Sequence, residues 1–196
     1  MNKKAFITGI GGQDGSYLAE LLVSKGYEVH GLERNPCKSN ESIVPHYGNV
    51  LDKELIQNLV SKIKPDEIYH LASKVEPRFG STDDFEFLDD GIRSTYNLLS
   101  AIKRSSLHSR FFYASSSKVF GRPNISPQNE NSPFSPVSFY GISKAGASYL
   151  VKTFREADGI FACSGILFNH ESPRRNPIFL PKKITRSAAR IKLGLE

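Results

Sequence analysis

Cysteine is nearly missing from this chain. Its 196 residues hold two, Cys37 and Cys163, and no tryptophan at all. Two distant cysteines supply neither a disulfide framework nor a metal cluster, and they point to a reducing cytoplasm. Long hydrophobic runs are missing too, which excludes a membrane-spanning helix. The opening Met-Asn-Lys-Lys-Ala-Phe lacks the apolar region of a signal peptide, because glycines arrive too soon after it. There is no internal repeat and no low-complexity segment. What remains has the composition of a soluble globular protein, 39% hydrophobic and 23% charged. The length fits one large domain, or one and a half small ones.

The net charge is +6. Much of the excess lies near the end, at Arg174, Arg175, Lys182, Lys183, Arg186, Arg190 and Lys192. No aromatic-basic platform or reading motif accompanies these residues, so nucleic acid is not the expected partner. A solvated helix face or a phosphate-bearing ligand accounts for them.

The most informative stretch is Lys4-Ala-Phe-Ile-Thr-Gly-Ile-Gly-Gly-Gln-Asp-Gly-Ser-Tyr-Leu-Ala-Glu20. Ala5-Phe6-Ile7 is a short apolar run, long enough for a buried strand. Gly9, Gly12 and Gly15 then break it, with Gly11 as an extra. From Ser16 on, Tyr17, Leu18, Leu21 and Leu22 recur at helical spacing. Strand, glycine turn and helix in that order make a phosphate-binding fingerprint. The bare turn lets a pyrophosphate approach the backbone, and the free N–H groups of the helix start face the anion.

The rest alternates strand with helix. Val29–Leu32 reads as a second strand, followed by Glu33 and Arg34 at the place that meets an adenosine ribose. Glu33 suits free ribose hydroxyls and NAD; Arg34 suits a 2′-phosphate and NADP. Asn35–Pro45 is polar and reads as a loop, with His46–Asn49 as a short strand end. A helix is predicted over Asp52–Ile63 with Asp52 as its N-cap. Glu67–Ala72 reads as a buried strand, with His70 in the core, and Ser73–Asp84 as a loop. A long helix follows near Phe85–Ser105, then a strand at Arg110–Ala114 with Ser115, Ser116 and Ser117 at its end. Asn124–Ser138 is proline-rich and irregular. A helix is predicted over Phe139–Ala157, a strand over Ile160–Phe168, and loop and basic helix beyond Asn169. The alternation predicts an α/β Rossmann-like fold, a doubly wound parallel sheet with helices on both faces. Ligands in such sheets lie beyond the carboxyl ends of the strands. That places the glycine turn, Ser73, Ser115–Ser117 and Asn169–Glu171 along one rim.

Tyr140-Gly-Ile-Ser-Lys144 carries the second signal. Tyr140 and Lys144 are four apart and share a helix face. An ammonium near a phenol favours the phenolate, which suits Tyr140 to acid–base work near neutral pH. Ser116, at a strand end, is placed to hold the same substrate oxygen. His170 and Glu171 are not read as a metal pair, because adjacent residues of an extended segment point apart. Asp14 is read as a helix cap.

Together, Thr8-Gly-x-x-Gly12-x-x-Gly15, Ser115-Ser-Ser and Tyr140-x-x-x-Lys144 resemble the extended short-chain dehydrogenase/reductase family. Tyr27-Glu-Val-His-Gly31, Lys64-Pro-Asp-Glu-Ile-Tyr69 and Gly165-Ile-Leu-Phe-Asn-His-Glu-Ser-Pro-Arg-Arg175 narrow the resemblance to the GDP-mannose 4,6-dehydratases; Lys183-Ile-Thr-Arg186 continues it. The resemblance implies a dinucleotide-binding domain over 1–168. It implies the start of a substrate-binding region over 169–196, cut short relative to the family. For catalysis it implies Ser116 as hydroxyl donor, Tyr140 as base and Lys144 as its partner. Thr8, Gly9, Gly12, Gln13, Asp14, Gly15, Arg34, Leu71, Ala72, Tyr140 and Lys144 are the implied cofactor contacts. Ser116, Asn169 and Lys183 are the implied substrate contacts, and no metal is expected. The cofactor implied is NADP, with NAD left open by Glu33. The substrate is a GDP-sugar, and the assembly a cytoplasmic homo-oligomer, dimer or tetramer, without membrane or nucleic acid.

The chain also departs from that family. Its dehydratases read Ser/Thr-Ser-Glu at the strand end, where the Glu takes the sugar C5 proton. Here the run is Ser116-Ser117-Lys118, and an ammonium has no lone pair. Val75-Glu76 replace a Ser-His pair, and Glu76 is a weak substitute for the missing carboxylate. The loop over Asn35–Pro45 is short for the family, where that region helps dimers become tetramers. Three functions stay open: a GDP-sugar 4,6-dehydratase, a nucleotide-sugar 4-epimerase or 4-reductase, and a non-catalytic relative that only binds nucleotide.

Overall fold

The computed structural model describes residues 2–35, 41–74 and 84–195. Six strands form one parallel sheet: β1 Lys4–Thr8, β2 Glu28–Glu33, β3 Ile43–Tyr47, β4 Glu67–His70, β5 Arg110–Ser116 and β6 Ala162–Leu167. Their order is β3-β2-β1-β4-β5-β6. This is the dinucleotide-binding order, and it reverses between β1 and β4, where a crevice opens at the carboxyl ends of the strands.

Among the described residues five α-helices cover the sheet or follow it: α1 Gln13–Ser24, α2 Lys53–Ile63, α3 Asp84–Ser105, α4 Phe139–Asp158 and α5 Leu180–Lys192. Strand side chains alternate between faces. Phe6, Ile68, Phe111 and Tyr113 pack with Ile56, Val60, Leu98, Leu99, Ile102, Ala147 and Val151 of α2, α3 and α4. Ala5, Ile7 and Val29 face the other way, against Ala19 and Leu22 of α1. The doubly wound reading therefore holds, with three helices on one face and α1 on the other.

Local sequence explains the helix ends. Asp52 caps α2, its carboxylate accepting from the Leu55 N–H at 3.0 Å. Lys64 closes that helix in the left-handed region at φ 50°, and Pro65 follows. Ser138 caps α4 by accepting from the Gly141 N–H at 3.1 Å, and Gly159 ends it at φ 69°. No residue of α5 is buried. Among the described residues no helix is long and apolar enough to cross a membrane.

Two expectations need correction, the loop before His46 and the cap of α1. The polar stretch before His46 is not all loop: β3 begins at Ile43 and pairs Pro45 with Gly31. A proline is tolerated there because β3 is the edge strand. The buried residues of α1 are Gly15, Ala19 and Leu22, while Tyr17 and Leu21 are exposed. The Arg174 guanidinium lies 4.0 Å above the Tyr17 ring and covers it from outside. Asp14 is not the cap of α1, since the cap position is Gly12 and has no side-chain bond. Parts of the loops over 35–45 and 73–84 lie outside the described residues, as does Glu76.

Candidate functional site

The glycine turn is built by contact. Gly9 has φ +76°, and a Cβ there would sit 2.7 Å from the Ala72 backbone nitrogen. A Cβ at Gly15 would stand 2.7 Å from the Ile10 Cα and press on the Gly9 carbonyl. Both glycines let β1, α1 and the end of β4 close on one another. With Gly12 at the cap position, no side chain caps the first N–H groups of α1. This cradle of bare backbone fits a pyrophosphate. Gly9→Ala combines left-handed strain with a backbone clash. It is expected to cost roughly 2–3 kcal/mol of stability, measured by urea unfolding.

A cleft of about 440 Å³ opens beside the turn. Thr8, Gly9, Gly12, Arg34, Leu71 and Ala72, all expected from sequence, line it. Glu33, Asn49, Lys74, Asp90, Gly91 and Ser94 line it as well. Gln13, Asp14 and Gly15 form the adjoining first turn of α1.

Beneath the cleft lies a directed hydrogen-bond chain. The Ala72 N–H donates to Thr8 Oγ1 at 3.3 Å, and Thr8 Oγ1 lies 2.7 Å from His70 Nδ1. On the far side Ser94 Oγ donates to the Gly91 carbonyl at 3.3 Å and accepts from His70 Nε2 at 3.0 Å. The network assigns a neutral His70 with its proton on Nε2. Burial, helped by the charge of Lys144, pushes its pKa down to about 3. His70 is a core residue, as expected, but it also ties two cleft walls together.

The second half of the site joins β5 to α4. Lys144 is 5% exposed and donates from Nζ to the Ala114 carbonyl at 2.8 Å. Its ammonium lies 5.6 Å from the Tyr140 ring centroid and 5.0 Å from that of Tyr113. Burial lowers its pKa to about 8. Ala114 and Ser116 stand two apart on β5 and share a face. Ser116 Oγ accepts from the Lys118 N–H at 3.3 Å and so starts the short 3₁₀ turn Ser117–Phe120. Ser115, one residue earlier, is buried and bonded to Ser148 Oγ at 2.9 Å. Ser115 thus fastens β5 to α4, while Ser116 stays at the strand end outside that contact. Lys118 is exposed.

Beyond β6, Asn169 is exposed at the same rim, two residues past Leu167, the strand partner of Ser116. His170 bonds Asp14 Oδ1 through Nε2 at 2.9 Å and the Phe168 carbonyl through Nδ1 at 2.7 Å. Both bonds raise its pKa. Arg174 grips both carboxylate oxygens of Glu20, at 2.7 and 2.9 Å. This segment is therefore laid against α1. Lys183 is half-buried in the first turn of α5 and does not line the cleft. Among the described residues no group of three His, Cys, Asp or Glu is placed to hold a metal. Sequence reading missed Lys74, Asp90 and Ser94 as cleft residues. For Lys74 the one hint was its place four residues after His70, the end of β4.

The chain matches the family model described as GDP-mannose 4,6 dehydratase over residues 6–196. It is 41% identical to a GDP-mannose 4,6-dehydratase of Vibrio cholerae, covering 100% of this chain and 57% of that protein. It is 42% identical to the Homo sapiens GDP-mannose 4,6 dehydratase, over 97% of this chain and 56% of that one. The chain thus spans somewhat over half the length of these relatives. The Vibrio alignment runs over 213 positions, more than the chain has residues, so short stretches of the relative are missing here. Among solved structures, the Bordetella bronchiseptica enzyme WbmH in complex with NAD+ superposes with a TM-score of 0.80 at 27% identity, covering 96% of this chain and 64% of that one. The Thermus thermophilus UDP-glucose 4-epimerase complex with NAD superposes at 0.86, over 98% and 63% of the two chains. At 22% identity that likeness speaks for the fold alone.

Proposed function

The chain belongs to the GDP-mannose 4,6-dehydratase family, and from that premise we propose that it is a nucleotide-sugar 4,6-dehydratase-like protein acting on GDP-mannose or a related GDP-sugar. The observation that carries this reading is the buried Lys144 ammonium beside the Tyr140 ring. A buried positive charge next to a phenol stabilises the phenolate. Tyr140 then takes the proton of the sugar C4 hydroxyl, and Ser116 hydrogen-bonds the same oxygen. Lys144 stays protonated and compensates the charge that passes through Tyr140.

A bound nicotinamide nucleotide supplies the hydride acceptor and donor. Thr8, Gly9, Gly12, Gln13, Asp14, Gly15, Leu71 and Ala72 would hold it along the glycine turn and cleft, with Tyr140 and Lys144 at its reactive end. Arg34 would pair with a 2′-phosphate, which makes the cofactor NADP. Asn169 and Lys183 serve the sugar nucleotide, and residues 169–196 begin the substrate-binding region. The working form is a cytoplasmic homo-oligomer.

Lys118 favours a second reading. An ammonium has no lone pair with which to take the C5 proton. With Ser116, Tyr140 and Lys144 in place and no carboxylate at 118, the chemistry that survives is C4 oxidation and reduction, as in a 4-epimerase or 4-reductase. Mass spectrometry of GDP-mannose incubated with NADP and either chain separates the two. Lys118→Glu is expected to raise the loss of one water at least about tenfold, the scale of one positioned base. Equal water loss by both chains places the base elsewhere. No water loss by either, with turnover of a 4-keto sugar, selects the second reading.

A further inference from the structure

The dinucleotide reading leaves one cleft cation without a role. The sheet order sets β1 and its glycine turn between β2 and β4. Arg34 follows β2, and Lys74 follows β4, on the other flank of the turn; both line the cleft. Lys74 comes two residues after Ala72, whose backbone lies against Gly9. It is therefore within a lysine side chain's reach of the bare turn.

In the structure the Lys74 ammonium is claimed by two carboxylates. Glu86 Oε2 lies at 2.6 Å and Asp90 Oδ2 at 2.8 Å. Asp90 is on the cleft wall and Glu86 is not. Asp90 thus sets a carboxylate on the cleft wall, a poor neighbour for a ligand whose centre is a pair of phosphates unless the ammonium turns toward the ligand. Lys74 is a third exposed, and its four-carbon stem rotates freely. Exchanging a carboxylate for a phosphate keeps a charge-assisted hydrogen bond in both states.

We propose that Lys74 is a phosphate-bridge ligand of the bound dinucleotide, handed over from Asp90 as the ligand enters the cleft. The inference rests on the dinucleotide reading above and adds a residue to it. Lys74 sets affinity for the part common to NAD and NADP, whereas Arg34 distinguishes them. Asp90 is the competitor that holds Lys74 back in the empty cleft.

The test is equilibrium binding of NAD and of NADP to the whole chain at two salt concentrations, with thermal unfolding alongside. Lys74→Met is expected to weaken both ligands by the same factor, about tenfold, and to flatten the salt dependence of binding. Asp90→Asn is expected to tighten both about threefold, and Lys74→Arg to restore wild-type affinity. Unchanged affinity in Lys74→Met, with only a lower melting temperature, would show a purely structural ion pair and overturn the proposal. Weakened NADP with unchanged NAD overturns it too, because the contact is then to the 2′-phosphate. If the wild-type chain binds neither nucleotide while folded, the dinucleotide reading itself falls, and this inference with it.

Discussion

At pH 7, Lys144→Met is expected to give a chain that is more stable and chemically dead. The buried ammonium is expensive: burial lowers its pKa from 10.5 to about 8. That shift is worth roughly 3 kcal/mol of native-state penalty. The sign is opposite to that of a salt-bridged lysine. Between pH 8 and 10.5 the unfolded chain binds more protons than the folded one, so stability rises with pH across that window. Below pH 8 the penalty is fully present. Methionine has a similar length and no charge, so it removes the penalty and the pH slope with it. It also leaves the Ala114 carbonyl without its Lys144 donor, which returns part of the gain. The net is an increase of about 1–3 kcal/mol at neutral pH, in line with replacing other buried charges by apolar side chains. In the proposed reaction the same ammonium acts through Tyr140, so turnover should fall by about 10²–10⁴, the usual worth of a positioned acid–base group. Thermal melts from about pH 6 to 10.5, spanning the titration window, with sugar turnover assayed beside them, check both halves. A less stable variant, or one that keeps turnover, means that the ammonium is neither destabilising nor needed for the reaction.

The parts of this molecule that were legible in the sequence are those whose logic is local. A turn that needs Gly9, Gly12 and Gly15 announces itself within a few residues. Tyr140 and Lys144 meet because one helix turn joins them. What stayed hidden depends on partners far along the chain. The exposed side of α1 carries Tyr17 because Arg174, distant in sequence, lies over its ring. Ser115 and Ser116 look alike in sequence; only the packing of α4 shows that Ser148 takes the first and leaves the second. The strand at Ile43–Tyr47 was obscured by Pro45, which an interior position would forbid and an edge position allows. Lys74 and Asp90 carry no motif, because their meeting depends on how α3 lies beside β4. His70 was legible as core from its apolar strand, but its two hydroxyl partners come from β1 and α3 and have no sequence signature.

That buried imidazole should dominate the response to acid. Neutral His70 accepts from Thr8 on one side and donates to Ser94 on the other. A second proton must go on Nδ1, where it meets the proton that Thr8 donates, so the Thr8 hydroxyl has to turn its own proton away from the ring. Burial adds its own cost, helped by the Lys144 charge: the folded pKa is about 3 against an ordinary value of 6.5. Here the unfolded chain binds the extra proton first, so stability is lost as pH falls from 6.5 to 3 and is complete above 6.5. The loss attributable to this one residue amounts to roughly 5 kcal/mol. His70→Gln keeps an amide that can still bond one hydroxyl but does not titrate there. It should be about 1–3 kcal/mol less stable than wild type at pH 7, for the bond it cannot make. As pH falls toward 3 the two unfolding curves should converge and then cross, because only the wild type takes up the proton. Urea unfolding at about pH 7, 5 and 4 measures this directly, and parallel curves would assign acid sensitivity to the surface carboxylates instead. The Lys144 charge also helps hold the His70 pKa down. In the Lys144→Met background, His70 should therefore bind its proton at a higher pH, and the His70→Gln difference should shrink. Such non-additivity, measured as a double-mutant cycle, would show that the cleft floor and the Tyr140 site share one electrostatic unit.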